Sequence, residues 1–367
     1  MEPFIPEHIL IMMQNSSALQ LLFQGEMLLS SNPAFQKQFP GLSEKATAED
    51  VFGPGVEQFR CYSGQGSLLF SATVGGTVLD VKLSRLEQLI LAELLPSEEA
   101  VSTSVLQNIS RSLAEPLTNI KVLSPRLLPL LTESGDPMVA EQTSQLNKSL
   151  YNILRLSNHI RFSASQQLRL SKKRLEIIGW LREFSLKIKP LCTMAGRKLT
   201  VELPPVEEMI NFDPDYLEQA LLNILSNAIK FTSPQGAIHL SATVVGRARL
   251  HITLRDDGCG IPAHEMGALF NMSKIAPPIP KPNQGVGLGL PMARTILLSH
   301  GGSLFVESQE GIGTAVHLAL PLSRATGELQ LKAPVLVPEV TGGINQLLLE
   351  LADALPARAF HVDDTEI

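Results

Sequence analysis

The chain has 367 residues, of which 44% are hydrophobic and 18% charged, a globular balance with room for two or three domains. Its net charge of -6 argues against a nucleic-acid-binding surface. The three widely spaced cysteines argue against a disulfide framework or a zinc cluster. No segment approaches the roughly 18 continuous apolar residues of a membrane span, and no signal-peptide pattern is visible. We therefore expect a cytoplasmic protein.

Residues 1–90 are predicted to form a small α/β sensory domain. The segment 66–83 alternates apolar and polar residues in places, which is typical of two strands joined at Gly75 and Gly76. An apolar run before it is followed by a turn and by N-P-A-F at 32–35. This pattern resembles the start of PAS sensor domains, and the alternative is a generic α/β regulatory domain.

Residues 84–134 are predicted to be two helical stretches separated at Pro96. In the second stretch, apolar residues recur at steps of three and four, which indicates a heptad seam. The seam comprises Leu106, Ile109, Leu113, Pro116, Ile120, Leu123, Leu127 and Leu130. After a turn, a long helix from Met138 to about Arg174 carries a second apolar side. We therefore predict a helical hairpin over 91–174 that pairs with a second copy as a four-helix bundle.

Residues 175–323 are predicted to form a mixed sheet with helices on one face. Helices are expected over 181–194, interrupted by Pro190, and from Pro214 to Thr232, with Asp213 as the N-cap. Strands are expected at 174–178, 198–203, 210–213, 238–245, 250–254, 302–308 and 314–320.

Residues 324–367 are predicted to be an extended tail that contains one short helix. Its leucines have helical spacing and suit a docking stripe, which would pack on the chain itself or on a partner. The stripe comprises Leu347, Leu348, Leu351 and Leu355. The last residues, D-D-T-E-I, are expected to be disordered.

The segment 221–232, L-L-N-I-L-S-N-A-I-K-F-T, carries a polar stripe on a predicted helix. Asn223, Asn227 and Lys230 lie at i, i+4 and i+7, so they share one face. Amide oxygens can ligate Mg²⁺, and a lysine ammonium is a point charge for phosphate oxygens. The stripe therefore suits a metal-bound polyphosphate. The alternative is the solvated face of an ordinary amphipathic helix.

Two glycine-containing segments follow this helix. R-D-D-G-C-G-I at 255–261 comes after a predicted strand, and Q-G-V-G-L-G-L at 284–290 precedes a predicted helix. Glycine allows the backbone to approach a ligand closely, and free N–H groups before a helix form an anion site. The loop between them, 271–284, contains four prolines, which exclude a helix and suit a lid.

In order and spacing, these segments resemble the N, G1, F and G2 boxes of the ATP-binding domain of sensor histidine kinases, a Bergerat-type fold. The resemblance covers about residues 97–322. Together with the PAS-like pattern of the first domain, it implies an α+β multidomain protein with a PAS-like domain, a HisKA-like dimerisation hairpin and a Bergerat-type α/β sandwich. It also implies ATP and Mg²⁺ as cofactors, homodimerisation through the hairpin, and a response regulator or partner kinase as a partner.

The resemblance assigns roles to individual residues. Asn223, Asn227 and Lys230 correspond to the N box, in which Asn227 holds Mg²⁺. Asp256 corresponds to the carboxylate that accepts a hydrogen bond from the adenine amine, and its alternative role is that of a strand-end turn residue. The glycines of the G1 and G2 boxes correspond to Gly258, Gly260, Gly285, Gly287 and Gly289.

Two further features of this region carry weaker assignments. Leu269 and Phe270 lie where the F box belongs. In the lid, Lys274 or Lys281 is predicted either to reach the phosphates or to be solvated. With Mg²⁺ between phosphate oxygens, the catalytic contribution of such a site is placement and charge neutralisation.

The hairpin departs from the family pattern at the phosphoacceptor. Where the family has S-H-E-L-x-x-P-L, residues 110–117 read S-R-S-L-A-E-P-L, so Arg111 takes the histidine position and Ser112 the acidic one. A neutral imidazole offers a lone pair near neutral pH, whereas a guanidinium stays protonated and has no such nucleophile. The sequence therefore predicts that the usual autophosphorylation site is degenerate.

Other acceptors on the hairpin are few. His159 is the only histidine there, and it is interpreted as a substitute acceptor or an ordinary helix-surface residue. Ser110 and Ser112 either accept a phosphoryl group or are exposed polar positions. Three functions stay open: a sensor histidine kinase-like protein, a nucleotide-responsive pseudokinase scaffold, and a protein-serine kinase of the same superfold.

Overall fold

The computed structural model describes seven stretches of the chain. These are residues 5–42, 46–96, 136–163, 168–245, 248–270, 287–322 and 345–361. The predicted first hairpin helix with Arg111, the lid with Lys274 and Lys281, and Gly285 lie outside the described residues. None of the helices within these stretches is long and apolar enough to cross a membrane.

The described residues form ten α-helices, two 3₁₀ helices and twelve strands. The α-helices are α1 (Glu7–Gln14), α2 (Pro33–Gln38), α3 (Ala48–Phe52), α4 (Val56–Arg60), α5 (Pro137–Ser163), α6 (Ile177–Met194), α7 (Pro214–Phe231), α8 (Ala263–Met266), α9 (Gly289–Ser299) and α10 (Gln346–Glu350). The 3₁₀ helices are Gly53–Gly55 and Ala357–Phe360. The strands are β1 (Leu19–Gln24), β2 (Met27–Ser31), β3 (Ser67–Val74), β4 (Thr77–Leu86), β5 (Leu89–Pro96), β6 (Lys173–Glu176), β7 (Lys198–Glu202), β8 (Met209–Phe212), β9 (Ala237–Val245), β10 (Arg249–Asp256), β11 (Ser303–Gln309) and β12 (Gly313–Pro321).

The chain divides into two compact units, the first of which combines Met1–Glu99, Cys259–Asn271 and Phe305–His317. Its antiparallel sheet has the order β2-β1-β5-β4-β3, and residues 306–308 of β11 pair with β3. The predicted hairpin at Gly75 and Gly76 is confirmed by the pairing of Val74 with Thr77. The PAS-like assignment of this region stays a prediction.

The helical prediction for residues 84–96 is wrong, because this segment forms the end of β4 and the whole of β5. Glu87, with a φ of 56°, lies in the turn between the two strands. β5 is central in the sheet, and it is buried on both faces: Ala92 and Leu94 join one core cluster, whereas Leu89 and Leu91 join another. A strand buried on both faces has a continuous apolar sequence, which periodicity cannot distinguish from a buried helix.

The second unit combines Ala100–Gly258, Met272–Leu304 and Leu318–Ile367. In it β7 pairs parallel with β9, and β9 pairs antiparallel with β10, so the sheet is mixed, as predicted. β6 and β8 form a separate two-stranded antiparallel sheet. The helix predicted from Pro214 to Thr232 is confirmed as α7, and its residues Leu222, Leu225 and Ile229 are buried.

The predicted interruption of α6 at Pro190 is also wrong, since the helix runs unbroken from Ile177 to Met194. Pro190 lies near the end of the helix on its exposed side, and Leu186, one turn earlier, is 63% exposed. A proline removes one helical hydrogen bond, but here the freed carbonyl can be hydrated. The opposite side, with Phe184, Ile188 and Leu191 buried, holds the helix on the core.

Candidate nucleotide site

Helix α7 is held at its start by the N-cap that the sequence predicts. The Asp213 carboxylate accepts hydrogen bonds from the backbone N–H groups of Asp215 and Tyr216, each at 3.2 Å. The Asp213 N–H donates to Nε2 of His300 at 3.0 Å. Nδ1 of His300 donates to the Ile296 carbonyl at 2.8 Å, and burial lowers the pKa of His300. The neutral ring therefore ties the start of α7 to the end of α9.

The three predicted polar residues of α7 differ in their surroundings. Asn223 is fully buried, and its Nδ2 donates to the Gln219 carbonyl at 2.9 Å. Asn227 is half-buried, and the Lys230 side chain is 6% exposed. A Cβ added to Gly289, the first residue of α9, would lie 3.1 Å from Oδ1 of Asn223. The stripe thus runs beside the last glycine of the predicted G2 box.

Asp256 lies at the end of β10, close to the other end of α7. Its carboxylate is buried and accepts a hydrogen bond from the Gly258 N–H at 2.9 Å. A Cβ on Gly258 would lie 2.5 Å from the carbonyl oxygen of Phe231, the last residue of α7. Absence of a side chain at Gly258 therefore allows the 256–258 turn to lie directly against α7.

For the remaining described glycines, Gly287 and Gly260, the structure gives no close approach to α7. Gly287 precedes α9 with a φ of 78°, in the left-handed region. Gly260 belongs to the first unit, where its φ is 65° and a Cβ would collide with the Gln309 carbonyl. The structure thus brings Asp256 and Gly258 to one end of α7, and Gly289 to Asn223.

A partner for the stripe that the sequence did not predict is the C-terminal segment, residues 345–361. The carboxylate of Asp353 accepts hydrogen bonds from Oγ of Ser226 and from Nζ of Lys230, each at 2.7 Å. It also forms an ion pair with the guanidinium of Arg155. Burial alone would raise the pKa of Asp353, but the charges of Arg155 and Lys230 and the two hydrogen bonds lower it to about 2.

Arg155, on α5, connects this segment to the stripe. Its Nη2 donates to Oδ1 of Asn223 at 3.3 Å, and its Nε lies 3.8 Å from a carboxylate oxygen of Glu350. Glu350 is fully buried and also accepts a hydrogen bond from Gln219 at 3.0 Å. Two carboxylates of the C-terminal segment are thus held within a set of buried polar groups.

The helix-surface interpretation of His159 is wrong. The side chain is 8% exposed, and its Nε2 lies 3.4 Å from a carboxylate oxygen of Glu350. Local sequence could not indicate this burial, because Glu350 lies 191 positions further along the chain. His159 as an alternative phosphoacceptor stays a prediction.

Apolar and backbone contacts hold the rest of the C-terminal segment on α5. The Asn147 amide donates to the Phe360 carbonyl at 2.9 Å, and Lys148 Nζ donates to the Leu355 carbonyl at 2.7 Å. The rings of Tyr151 and Phe360 meet edge to face, with centroids 5.2 Å apart. Of the predicted leucine stripe, Leu347 is half-buried and the other members are buried: Leu348, Leu351 and Leu355.

Sequence reasoning missed the polar residues that complete this arrangement. Ser226 lies four positions before Lys230, on the same helix face, and was detectable from spacing alone. Glu350 and Asp353 are the two acids within an otherwise apolar L-L-L-E-L-A-D-A-L, and buried acids require partners. Arg155 carried no local signal.

We expect the charge of Asp353 to make the folded state sensitive to acid. Its pKa of about 2 lies below the ordinary 3.8, so its stabilisation is complete above pH 4 to 5 and is lost as the pH falls toward 2. The stability difference between wild type and Asp353→Asn should shrink by about 1 kcal/mol between pH 5.5 and pH 3 in urea unfolding. Glu141→Gln, which changes an exposed residue, is the control. A difference in unfolding free energy between wild type and Asp353→Asn that does not change with pH would contradict the assignment.

Comparisons with known proteins identify this region. Residues 212–324 match the family model of histidine kinase-, DNA gyrase B- and HSP90-like ATPases. The adaptive-response sensory kinase SasA of Synechococcus elongatus is 26% identical over 186 residues, 50% of this chain and 46% of SasA. The sensor histidine kinase Hik2 of Thermosynechococcus vestitus is 31% identical over 223 residues, 59% of this chain and 57% of Hik2. The structure of full-length ShkA in complex with AMPPNP covers 69% of this chain and 54% of ShkA, at 22% identity and a TM-score of 0.47.

Residues 212–324 therefore form an α/β domain of the histidine kinase ATPase type. In sequence, the chain is similar to sensor histidine kinases over 50% to 59% of its length in these two comparisons. It spans about half the length of these two curated relatives, 46% of SasA and 57% of Hik2.

Proposed function

We propose that the chain is a homodimeric two-component signalling protein that binds Mg-ATP along α7. The supporting observation is that α7 lies against both glycine motifs, with Asn223 beside Gly289 and the Phe231 carbonyl beside Gly258. These two motifs are separated along the chain and both reach the same helix, which is the arrangement expected if they bind one ligand. A Cβ would have no room at Gly258 and little room at Gly289, as expected where backbone lines a nucleotide.

The residues of α7 and β10 fit the chemistry of a magnesium nucleotide. The half-buried amide of Asn227 is an oxygen donor suited to Mg²⁺, and Lys230 is a cation suited to phosphate. The buried carboxylate of Asp256 is an acceptor suited to the adenine amine. Mg²⁺ bound there would neutralise phosphate charge. Asn223, Asn227 and Lys230 would then position the phosphates.

Binding of ATP is tested by calorimetry with Asp256→Asn and Asp257→Asn. Asp256→Asn should weaken Mg-ATP binding at least about tenfold, because an amide N–H replaces an acceptor facing the adenine amine. Asp257 is the matched control, since it is exposed and instead accepts a hydrogen bond from the Ala237 N–H at 2.9 Å. Equal loss in both variants, or no Mg-ATP binding by any form of the protein, would refute the proposed site.

Arg111 stands where the family has its phosphoacceptor histidine, so autophosphorylation at this position is not expected. A guanidinium at the acceptor position supplies no lone pair, which favours the second candidate function, a pseudokinase scaffold whose nucleotide state is read by a response regulator or partner kinase. Incubation with labelled ATP should then leave no acid-labile phosphate on the chain. Acid-labile phosphate that disappears in His159→Ala would show that the chain autophosphorylates through a different histidine, and acid-stable phosphoserine on a partner would indicate a protein-serine kinase.

A further inference from the structure

We propose that the C-terminal segment, residues 345–361, is an intramolecular competitor of the nucleotide, with the Asp353 carboxylate at the place of a phosphate group. The inference rests on the proposed function, because it assigns a regulator to the same α7 stripe. It goes beyond that function in giving the stripe two mutually exclusive occupants.

The first observation is the set of donors around Asp353. An ammonium, a hydroxyl and a guanidinium converge on one carboxylate, from Lys230, Ser226 and Arg155. Such a set of charged and polar donors is what a phosphate oxygen requires. The Lys230 side chain is almost fully covered in this arrangement, at 6% exposure, so its charge is already used.

The second observation is charge. A triphosphate that reached Lys230 would bring several negative charges next to the carboxylates of Asp353 and Glu350. Glu350 is fully buried and the Asp353 side chain is 25% exposed, so water would screen their repulsion of the phosphates only in part. Occupation of the stripe by phosphate therefore requires Asp353 to leave.

The third observation is how the segment is attached. The ring of Phe360 packs edge to face against an aromatic ring of α5, and the backbone carbonyl of Leu355 accepts a hydrogen bond from a lysine of the same helix. Asp353 instead projects to the stripe on α7. Asn223 is also occupied, since Arg155 donates to its Oδ1. The segment is therefore anchored on α5 and reaches α7 through Asp353. Its release from α5 would free the polar stripe of α7.

Two full-length variants test the inference by different physical means. Asp353→Asn removes the negative charge at the stripe, and Phe360→Ala removes an anchor on α5 that makes no polar side-chain contact with the stripe. Each should tighten Mg-ATP binding about tenfold in calorimetry, the factor expected from loss of one charged hydrogen bond or of part of an apolar anchor. Glu141→Gln, which removes an exposed charge on α5, should bind as wild type does.

Competition must also appear from the other side, because coupling between two ligands is reciprocal. Saturating Mg-ATP should speed hydrogen exchange at backbone amides of the C-terminal segment, such as those of Leu348 and Leu351. If Phe360→Ala opens the segment in hydrogen exchange while Mg-ATP binds with wild-type affinity, the inference is overturned and the proposed function stands. If neither wild type nor the opened variants bind Mg-ATP, both fail. Binding by the opened variants alone would support both.

Discussion

Gly258→Ala is expected to lower Mg-ATP affinity by at least about tenfold and to reduce the free energy of unfolding by about 1–3 kcal/mol, as overpacked sites do. The added methyl group would lie 2.5 Å from the Phe231 carbonyl oxygen and 2.7 Å from Oδ1 of Asp256. The carbonyl belongs to the last residue of α7 and cannot rotate away as a flexible side chain would. The 256–258 turn must therefore move off α7 and take the Asp256 carboxylate with it.

The matched control is Gly41→Ala, in which no described atom lies within 4 Å of the added methyl group. This variant should keep wild-type affinity and stability within about 0.5 kcal/mol. Calorimetric titration with Mg-ATP and urea unfolding measure both effects. Wild-type affinity in Gly258→Ala would show that the turn does not contribute to the nucleotide site, whatever the change in stability.

Arg155→Met is expected to release the C-terminal segment from α5 and α7. The substitution leaves Glu350 and Asp353 without their shared cation, and breaking a buried ion pair costs about 3–5 kcal/mol when the remaining charge stays buried. If residues 345–361 undock, both carboxylates become hydrated and no buried charge remains unpaired. The measured loss in unfolding free energy should therefore not exceed the free energy with which this segment docks. Backbone amides of Leu348 and Leu349 should then exchange much faster than in wild type.

Arg161→Met is the control for this prediction, because Arg161 lies on the same helix but is exposed and donates to Asn158 at 3.2 Å. Its effect should stay within about 0.5 kcal/mol and should leave exchange in the C-terminal segment unchanged. A segment that stays fully protected in Arg155→Met would mean that the apolar anchors alone hold it.

Local sequence signals were sufficient where a residue's partners are near it in the chain. The Asp213 cap, the helix that begins at Pro214 and the glycine hairpin at 75–76 depend on neighbours within a few positions, and the structure agrees with each. The pattern failed for β5, because its apolar residues serve two cores, one on each face of the sheet. The proline within α6 was also misleading, since it lies on the exposed side of the helix.

The sequence by itself determined the ATPase-type domain and the polar stripe of α7, because box order and helical spacing are properties of short segments. Only the tertiary structure decided what covers that stripe. Lys230 and Asp353 are 123 positions apart, and His159 and Glu350 are 191 apart. Spacing shows that a helix face is polar, but the partner of that face depends on how distant segments pack, and that is set by the burial of leucines and aromatic rings in the tail.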